Sequence, residues 1–265
     1  MASVQSPLRR LAKPLIYKAL GPWGYQWMLT RAKIRDIDKR LVEEPEMAIL
    51  PDLVKDGSAI LDIGANYAYY SVRLARLCPN SHVHAFEPIP ATAAVCRKIL
   101  EHYALHNVTL HQKGVGARNE RLSFEVPLQD AGTLSAGQAH ILGRRNDMAG
   151  REKYHSFTNH ATFDCEVVAL DDFLADLTTL GFVKMDIEGA EYFALEGMRK
   201  LLERYRPIIL IEICSFFLKG FGIDLSKLVG LISELGYEIY SYDMKLTRVP
   251  LPSEDRNYIL IPDRS

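Results

Sequence analysis

Short apolar runs alternate along the chain with longer stretches in which apolar residues recur every three or four positions. Continuous apolar runs are typical of buried strands, and the longer spacing is typical of helices. The predicted strands lie at residues 59–63, 81–87, 107–111, 121–126, 163–168, 181–186, 207–213, 237–242 and 258–261. Predicted helices separate most of them, and this alternation favours one doubly wound α/β sheet.

The first part of the chain departs from this alternation. Residues 8–20 place leucines and isoleucine at helical spacing among basic residues, and Gly21-Pro22 predicts the end of that helix. The turn signal Asp56-Gly57 stands immediately before the first strand of the sheet. We therefore predict an N-terminal helical extension over residues 1–55 and an α/β domain over residues 56–265.

Two tryptophans follow the first basic helix. Trp23 and Trp27 are four residues apart and share one face if this segment is helical. A basic helix with tryptophans is compatible with peripheral contact with an anionic membrane surface. The other interpretation, which we favour here, is a helix that packs on the domain or covers its ligand cleft.

Residues 130–160 have a different composition from the rest of the domain. They contain four glycines, several polar residues and the pair Arg144-Arg145, which predicts a long loop insertion. Long ordered loops in compact domains often act as lids or binding segments. A mobile surface insertion is the alternative.

Composition and charge narrow the class of protein. The chain has 265 residues, 48% of them hydrophobic, which suits one large domain with extensions. Its net charge of −1 predicts no nucleic-acid partner. We expect no transmembrane segment and no secretory signal, because apolar runs are short and basic residues interrupt the N-terminal segment. Four scattered cysteines predict reduced thiols and a cytoplasmic location. They are Cys78, Cys96, Cys165 and Cys214.

Residues 59–71, AILDIGANYAYYS, predict a strand, a turn of small residues and a helix that starts near Tyr67. Ligands of open α/β sheets bind over such turns, and Gly64 would let the backbone approach one closely. A dinucleotide fingerprint, G-x-G-x-x-G, would need glycine where Asn66 and Tyr69 stand, which disfavours an NAD-dependent oxidoreductase. An acidic residue before the glycine, Asp62, suits a cationic ligand.

A second acidic residue follows the next predicted strand. Glu87 lies 25 residues after Asp62, a spacing that accommodates one βαβ unit. A carboxylate at this position can accept two hydrogen bonds from a ribose diol. The small residues of the segment 114–116 would let a flat ring lie against the backbone. His82 and His84 alternate on one strand face, which permits a metal pair but is more typical of surface histidines.

Five motifs in order resemble the FkbM-type S-adenosylmethionine (SAM)-dependent methyltransferases. They are DIGAN at 62–66, FEP at 86–88, LDDF at 170–173, KMDIEGAE at 184–191 and NYILIP at 257–262. The resemblance implies a mostly parallel, seven-stranded Rossmann-like sheet with an antiparallel last hairpin. It also implies SAM as cofactor, held by Asp62, Gly64, Ala65, Asn66, Tyr70, Glu87, Pro88 and Val115. Gln112-Lys113 stand where the family has an acidic residue after its third strand.

The resemblance implies methyl transfer, and carboxylates at neighbouring strand ends are the candidates for its chemistry. Asp186, Glu188 and Glu212 are the predicted catalytic residues, with Glu191 and a loop histidine, His155, as further candidates for the base. One carboxylate could remove the proton of a hydroxyl, or several could hold a divalent metal that acidifies it. In the alternative interpretation, Glu188 and Glu191 only stabilise a helix N-terminus.

The predicted function is O-methylation of a hydroxyl on a small metabolite or sugar moiety. The alternative is a non-catalytic SAM-binding or scaffold protein of the same fold. We expect a small-molecule or glycosylated acceptor, and no metal ligand is assigned.

Overall fold

The computed structural model of the protein describes residues 7–128, 139–142, 159–243 and 245–263, with the side chains of residues 7–20 and 22 left out. Most of the predicted insertion, including His155, therefore lies outside the described residues. The helices described are α1 (Pro7–Asp38), α2 (Leu50–Leu53), α3 (Tyr69–Leu77), α4 (Pro90–His102), α5 (Leu170–Phe173), α6 (Glu191–Glu196), α7 (Arg199–Tyr205), α8 (Ser215–Gly220) and α9 (Leu225–Glu234), with a 3₁₀ turn at Pro45–Ala48.

A mixed sheet of eight described strands forms the centre of the molecule. Its strands are β1 (Ile60–Ile63), β2 (Val83–Phe86), β3 (Val108–His111), β8 (Phe182–Met185), β9 (Ile208–Ile213), β10 (Tyr237–Tyr242), β11 (Leu246–Arg248) and β12 (Arg256–Pro262), in the order β11-β10-β12-β9-β8-β1-β2-β3. The five strands from β3 to β9 are parallel, and β12 runs antiparallel to both β9 and β10. The predicted doubly wound α/β fold with an antiparallel last hairpin is confirmed, with β11 added at one edge.

A second, four-stranded sheet was not predicted. It contains β4 (Gly114–Val115), β5 (Glu120–Pro127), β6 (His140–Ile141) and β7 (His160–Val168), in the order β4-β7-β5-β6. The strands β5 and β7 pair antiparallel over eight register positions and flank the predicted insertion. The insertion therefore starts and ends at neighbouring strand ends, where Pro127 pairs with His160.

The N-terminal region is helical, as predicted. The long helix α1 has a non-helical backbone at Gly21, with φ of 66°, which is where the sequence predicts a helix end. Beyond this kink the helix packs against α4 through a cluster that includes Ile34, Val95 and Ile99. Within the described part of the chain, no helix has the length and hydrophobicity needed to cross a bilayer. The boundary between residues 55 and 56 remains a prediction.

Helix α3 starts later than the sequence predicts, and an aspartate from a distant element caps α7. Helix α3 begins at Tyr69 rather than Tyr67, because Asn66 and Ala68 have φ of 47° and 61° and cannot continue a right-handed helix. Asp171 does not cap its own helix α5. Its carboxylate instead accepts hydrogen bonds from the N–H groups of Lys200 and Leu201, at 3.0 and 2.9 Å, and so caps the first turn of α7.

Candidate active site

Three neighbouring parallel strands end at the same edge of the main sheet. The strand β1 pairs in register with β2 on one side and β8 on the other. Beyond the strands, the N–H groups of Gly64 and Ala65 both donate to the carbonyl of Phe86, at 3.0 and 2.9 Å. The N–H of Asp186 donates to the carbonyl of Ile63 at 3.0 Å. These bonds bring the turns after β1, β2 and β8 together.

A cleft opens over these three turns. It is lined by Asp62, Gly64, Ala65, Asn66, Tyr69 and Tyr70 from β1 and α3, by Glu87, Pro88 and Ile89 after β2, by Lys184, Asp186, Ile187 and Glu188 around the end of β8, by Val42, Glu44 and Met47 from the N-terminal region, and by Phe124 and Ala139 from the second sheet. Seven of the eight predicted cofactor residues and two of the three predicted catalytic residues thus line one cleft.

Val115 is the predicted cofactor residue that does not line this cleft. It lies in β4, which pairs with β7 of the second sheet, and its side chain is 6% exposed. It packs in a hydrophobic cluster with Phe86 and Val168. In the described structure, Val115 therefore serves the packing of the two sheets.

Gly64 is required for a reason other than the predicted close approach to a ligand. Its φ of 87° lies in a region that disfavours side chains, and a Cβ placed on it would lie 1.9 Å from the carbonyl oxygen of Asp186. The backbone of the turn after β8 thus occupies the space beside Gly64. This glycine allows the turns after β1 and β8 to pack against each other.

Glu87 is buried at the end of β2 and anchors the turn after β1. Its Oε2 accepts a hydrogen bond from the N–H of Asn66 at 3.1 Å, and its Oε1 accepts one from the N–H of Ile89 at 2.9 Å. Burial raises the pKa of the Glu87 carboxyl to about 7, although both backbone N–H groups oppose the rise. Each carboxylate oxygen keeps one further lone pair, so Glu87 can still accept hydrogen bonds from a ligand.

Asp62 is 1% exposed and lies at the base of the cleft. The hydroxyl of Ser71, in the first turn of α3, donates to its Oδ2 at 2.5 Å. Burial raises the pKa of Asp62 to about 6, opposed by the Ser71 hydrogen bond and the charge of Lys184. The residue links β1 to α3 and adds negative potential beneath the turn.

Among the side chains from the turn after β1 and from α3 that line the cleft, two polar atoms are buried and have no hydrogen-bond partner among the described residues. They are Oδ1 of Asn66 and the hydroxyl of Tyr69. Buried polar atoms are usually paired, so an acceptor such as Oδ1 of Asn66 suits a ligand that donates hydrogen bonds. Together with Glu87, this acceptor fits a cationic, hydroxyl-bearing ligand such as SAM.

The predicted catalytic carboxylates come together at the end of β8. Asp186 and Glu188 line the cleft, and Glu212, on the adjacent strand β9, forms a hydrogen bond with Asp186. Burial and the charges of Asp186, Glu188 and Glu191 raise the pKa of Glu212 far above its ordinary range. Glu212 therefore keeps its proton at neutral pH and supports Asp186.

Glu191 holds the acidic turn in shape. It is 1% exposed, and its Oε1 accepts hydrogen bonds from the N–H groups of Ile187 and Gly189, at 3.1 and 3.2 Å. Glu188, between them, has φ of 56°, which is uncommon for a residue with a side chain. The two bonds to Glu191 fix this conformation and direct the turn toward the cleft.

Lys184 was missed by the sequence interpretation. It is 1% exposed, and its Nζ lies 3.4 Å from Oδ2 of Asp186 and 3.3 Å from Oδ1 of Asn257. Burial lowers its pKa, but the surrounding carboxylates outweigh this effect, led by Asp186 and Glu44, so the pKa is raised. The ammonium is a buried positive charge among the acids of the cleft.

Glu44 was also missed, because it belongs to the N-terminal region. Its Oε2 accepts hydrogen bonds from the hydroxyl of Tyr70 at 2.6 Å and from the amide of Asn257 at 3.1 Å. Tyr70 in turn lies with its ring 5.0 Å from Nζ of Lys184. The N-terminal region is thus connected to the cleft through specific side-chain contacts.

The histidines of β2 form hydrogen bonds with side chains of the neighbouring strand β3. Nδ1 of His84 lies 3.1 Å from Nε2 of His111, and Nε2 of His82 lies 2.8 Å from the hydroxyl of Thr109. Burial lowers the pKa of His84 to about 4, so this pair is neutral at pH 7. Within the described residues, no three His, Cys, Asp or Glu side chains are placed to hold a metal ion.

Comparisons with known proteins agree with this geometry. Residues 62–239, more than half of the chain, match the profile of the methyltransferase FkbM domain. Methyltransferase 1 of Beauveria bassiana (strain ARSEF 2860) is 27% identical over 167 residues, which cover 60% of this chain and 66% of that protein. 2-O-methyltransferase NoeI of Sinorhizobium fredii (strain NBRC 101917 / NGR234) is 28% identical over 159 residues, which cover 59% and 63%. The chain spans just under two thirds of the length of both relatives.

A solved structure has the same fold. The crystal structure of methyltransferase FkbM from Methylobacillus flagellatus KT matches with a TM-score of 0.51 at 20% identity, over 83% of this chain and 49% of that chain. The match of more than half of the chain to the family profile establishes the family. The chain belongs to the methyltransferase FkbM domain family.

Proposed function

We propose that the protein is a SAM-dependent methyltransferase that methylates a hydroxyl group. The observation that carries the proposal is the meeting of Asp62, Glu87 and Asp186 around one cleft at the ends of β1, β2 and β8. Bound SAM would supply an electrophilic methyl group on a positively charged sulfur. An acidic cleft attracts such a cation and places a proton acceptor beside it.

The cofactor side of the cleft is assigned to the turns after β1 and β2. Glu87 would accept hydrogen bonds from the ribose hydroxyls, since both of its oxygens are fixed by backbone N–H groups and retain lone pairs. The backbone from Gly64 to Asn66 would contact the methionine part, with the free Oδ1 of Asn66 accepting a hydrogen bond. Tyr70 and Pro88 complete the lining on either side.

The chemical side is assigned to the turn after β8. Asp186 would accept the proton of the acceptor hydroxyl, because it lines the cleft, with Nζ of Lys184 3.4 Å from its Oδ2. Glu188 lines the same part of the cleft and would orient the hydroxyl. Glu212 is assigned a supporting role, because a carboxyl that keeps its proton at neutral pH cannot act as the base.

A hydroxyl acceptor on a sugar or another small metabolite is the proposed substrate class. The similarity to NoeI, a 2-O-methyltransferase, supports oxygen as the methylated atom. The N-terminal residues Val42 and Met47, with Phe124, add apolar surface at the cleft, which suits the less polar parts of an acceptor. SAM binding without methyl transfer would instead favour the scaffold alternative.

Calorimetry and a transfer assay test this proposal. The protein should bind SAM and not NAD, and labelled SAM with an extract of the source cells should give a labelled product. Glu87→Ala should weaken SAM binding by about 1–3 kcal/mol, the scale of a lost hydrogen bond to a charged group. Glu101→Ala, at an exposed site on α4, is the control. Unchanged SAM affinity in a folded Glu87→Ala variant would refute the ribose role.

A further inference from the structure

The exposed side of α1 carries both tryptophans of the chain. Positions 23, 27, 31 and 35 are exposed and follow one another every four residues, so they form one row along the helix. Their residues are Trp23, Trp27, Arg31 and Arg35, and we call this row the tryptophan–arginine face. Trp23 is 80% exposed and Trp27 is 61% exposed, which is unusual for so large an apolar side chain.

Other side chains of α1 fix the helix to the domain. Ile34 is buried against α4, Gln26 accepts a hydrogen bond from Nζ of Lys98 at 3.1 Å, and the hydroxyl of Tyr103 donates to the carbonyl of Ile34 at 3.2 Å. These contacts set the rotation of the helix about its axis. While these contacts hold α1 on the domain, the four side chains of the tryptophan–arginine face remain exposed.

The charge of this helix is opposite to that of the rest of the chain. Pro7–Asp38 contains seven Lys or Arg and two Asp or Glu, and so carries +5, whereas the whole chain carries −1, which leaves −6 elsewhere. No acidic residue precedes Asp36 in the sequence. On the face itself, the Arg31 guanidinium lies 5.5 Å from the centre of the Trp27 ring, so cation and aromatic surface are presented together.

We propose that the tryptophan–arginine face docks the protein on an anionic lipid surface. Tryptophan rings are favoured at the boundary between lipid headgroups and acyl chains, where an apolar body and a polar N–H are both satisfied. Arginines beside them bind lipid phosphates, and each basic residue near an anionic leaflet adds to the binding. The acidic remainder of the molecule is repelled by the same surface, which orients α1 toward it.

An anionic lipid surface fits the tryptophan–arginine face better than a second copy of the chain does. A two-fold interface through the face would bring Arg31 and Arg35 of two copies close together, and Asp36, whose Oδ1 lies 3.7 Å from Nη2 of Arg35, offsets only one of the two charges in each copy. Single-stranded RNA could stack on the tryptophans, but the negative charge of the remaining chain opposes binding to a polyanion. Both alternatives are separate outcomes of the experiment.

The full chain and vesicles of defined composition test the proposal. Because Trp23 and Trp27 are the two tryptophans of the chain, intrinsic fluorescence reports directly on this face. Vesicles of phosphatidylcholine with phosphatidylserine should shift the emission to shorter wavelength and carry the protein on flotation, while pure phosphatidylcholine should do so weakly. Added salt should reduce the binding.

Two pairs of variants separate the face from general charge and hydrophobicity. Arg31→Glu/Arg35→Glu should weaken binding to the anionic vesicles at least about tenfold, because two charges are reversed at the surface. Arg118→Glu/Arg248→Glu makes the same change at side chains that are 78% and 67% exposed, and should bind like the native protein. Trp23→Ser/Trp27→Ser should no longer float with the anionic vesicles. Leu246→Ser/Leu251→Ser removes two exposed apolar side chains elsewhere and should float like the native protein.

Several results would overturn the proposal. They are no binding to anionic vesicles at low salt, equal losses in the test and control variants, or a fluorescence change with RNA alone. A dimer in light scattering that dissociates in Trp23→Ser/Trp27→Ser, without vesicle binding by the native protein, would assign the face to a second copy.

Discussion

Nζ of Lys184 and Oδ2 of Asp186 lie 3.4 Å apart, with the lysine 1% exposed and the aspartate side chain 37% exposed. The pair therefore connects the interior of the sheet to the cleft. One end is a buried cation that balances several carboxylates, and the other is the proposed base. Stability and activity should both depend on this contact, and they can be measured separately.

Lys184→Met should lower the free energy of unfolding by about 3 kcal/mol, because it removes the buried counter-charge and leaves carboxylates unpaired. Urea unfolding at pH 7 measures this change. Lys184→Met/Asp186→Asn should recover part of the loss, since the nearest unpaired charge is removed with the lysine. Lys200→Met, at an exposed site on α7, should change stability by less than about 0.5 kcal/mol. If Lys184→Met and Lys200→Met are equally stable, the Lys184 ammonium has no structural role.

Gly64→Ala should destabilise the protein more than Gly57→Ala does. Both glycines have positive φ, 87° and 94°, so the added methyl group strains the backbone at each. Only at Gly64 would it also meet the carbonyl oxygen of Asp186, whereas nothing lies within 4 Å at Gly57. Overpacking adds about 1–3 kcal/mol, which thermal or urea unfolding would detect. A similar loss in both variants would mean that the turns after β1 and β8 separate readily.

The buried carboxyl of Glu191 should make stability fall as pH rises from about 5 to 7. Burial raises its pKa to about 7, so over this range the unfolded chain loses the proton before the folded protein does. The stability associated with this group is present below its unfolded pKa and is lost as pH rises through the folded value. Glu191→Gln keeps an acceptor for Ile187 and Gly189 but cannot titrate. Urea unfolding across this pH range should show a flatter curve for this variant, by about 2 kcal/mol over the interval.

The exposed Glu101 provides the control for that pH measurement. Glu101→Gln should give a curve parallel to that of the native protein, because the substitution is made at an exposed site outside the acidic turn. If Glu191→Gln also gives a parallel curve, the carboxyl is solvated in the folded protein. The hydrogen bonds that hold the acidic turn would then have to come from elsewhere.

The sequence correctly predicts which residues line the cleft where these residues lie at or directly after the end of a strand. Asp62, Glu87 and Asp186 come at or just after the ends of parallel strands, and such ends meet at one edge of a sheet whatever the details of packing. The spacing of 25 residues between the first two fits one βαβ unit. Local pattern and general topology were sufficient for these positions.

Residues brought in from distant elements were not predictable in this way. Glu44 bonds to Asn257, 213 positions away, and Asn257 bonds to Lys184 across 73 positions. In the sequence alone, Lys184 is one polar residue in an apolar strand, with nothing to indicate its partners. The second sheet, which contains Val115, was not predicted either, because β4, a strand of two residues, has no periodicity to reveal it.

One set of variants tests the proposal that Asp186, and not Glu212, is the base. Asp186→Asn should lower turnover at least about tenfold, the low end of general-base effects, and change SAM affinity less. Glu188→Gln should give a smaller fall if its role is to orient the hydroxyl. Glu212→Gln should retain most of the turnover, because the amide resembles the protonated carboxyl that donates to Asp186.

Single-turnover rates with saturating SAM provide the measurement, with Asp176→Asn, an exposed site, as control. A loss in Glu212→Gln as large as that in Asp186→Asn would reverse the assignment. Loss of activity in chelator with recovery in Mg²⁺ would instead indicate that the carboxylates act through a metal ion.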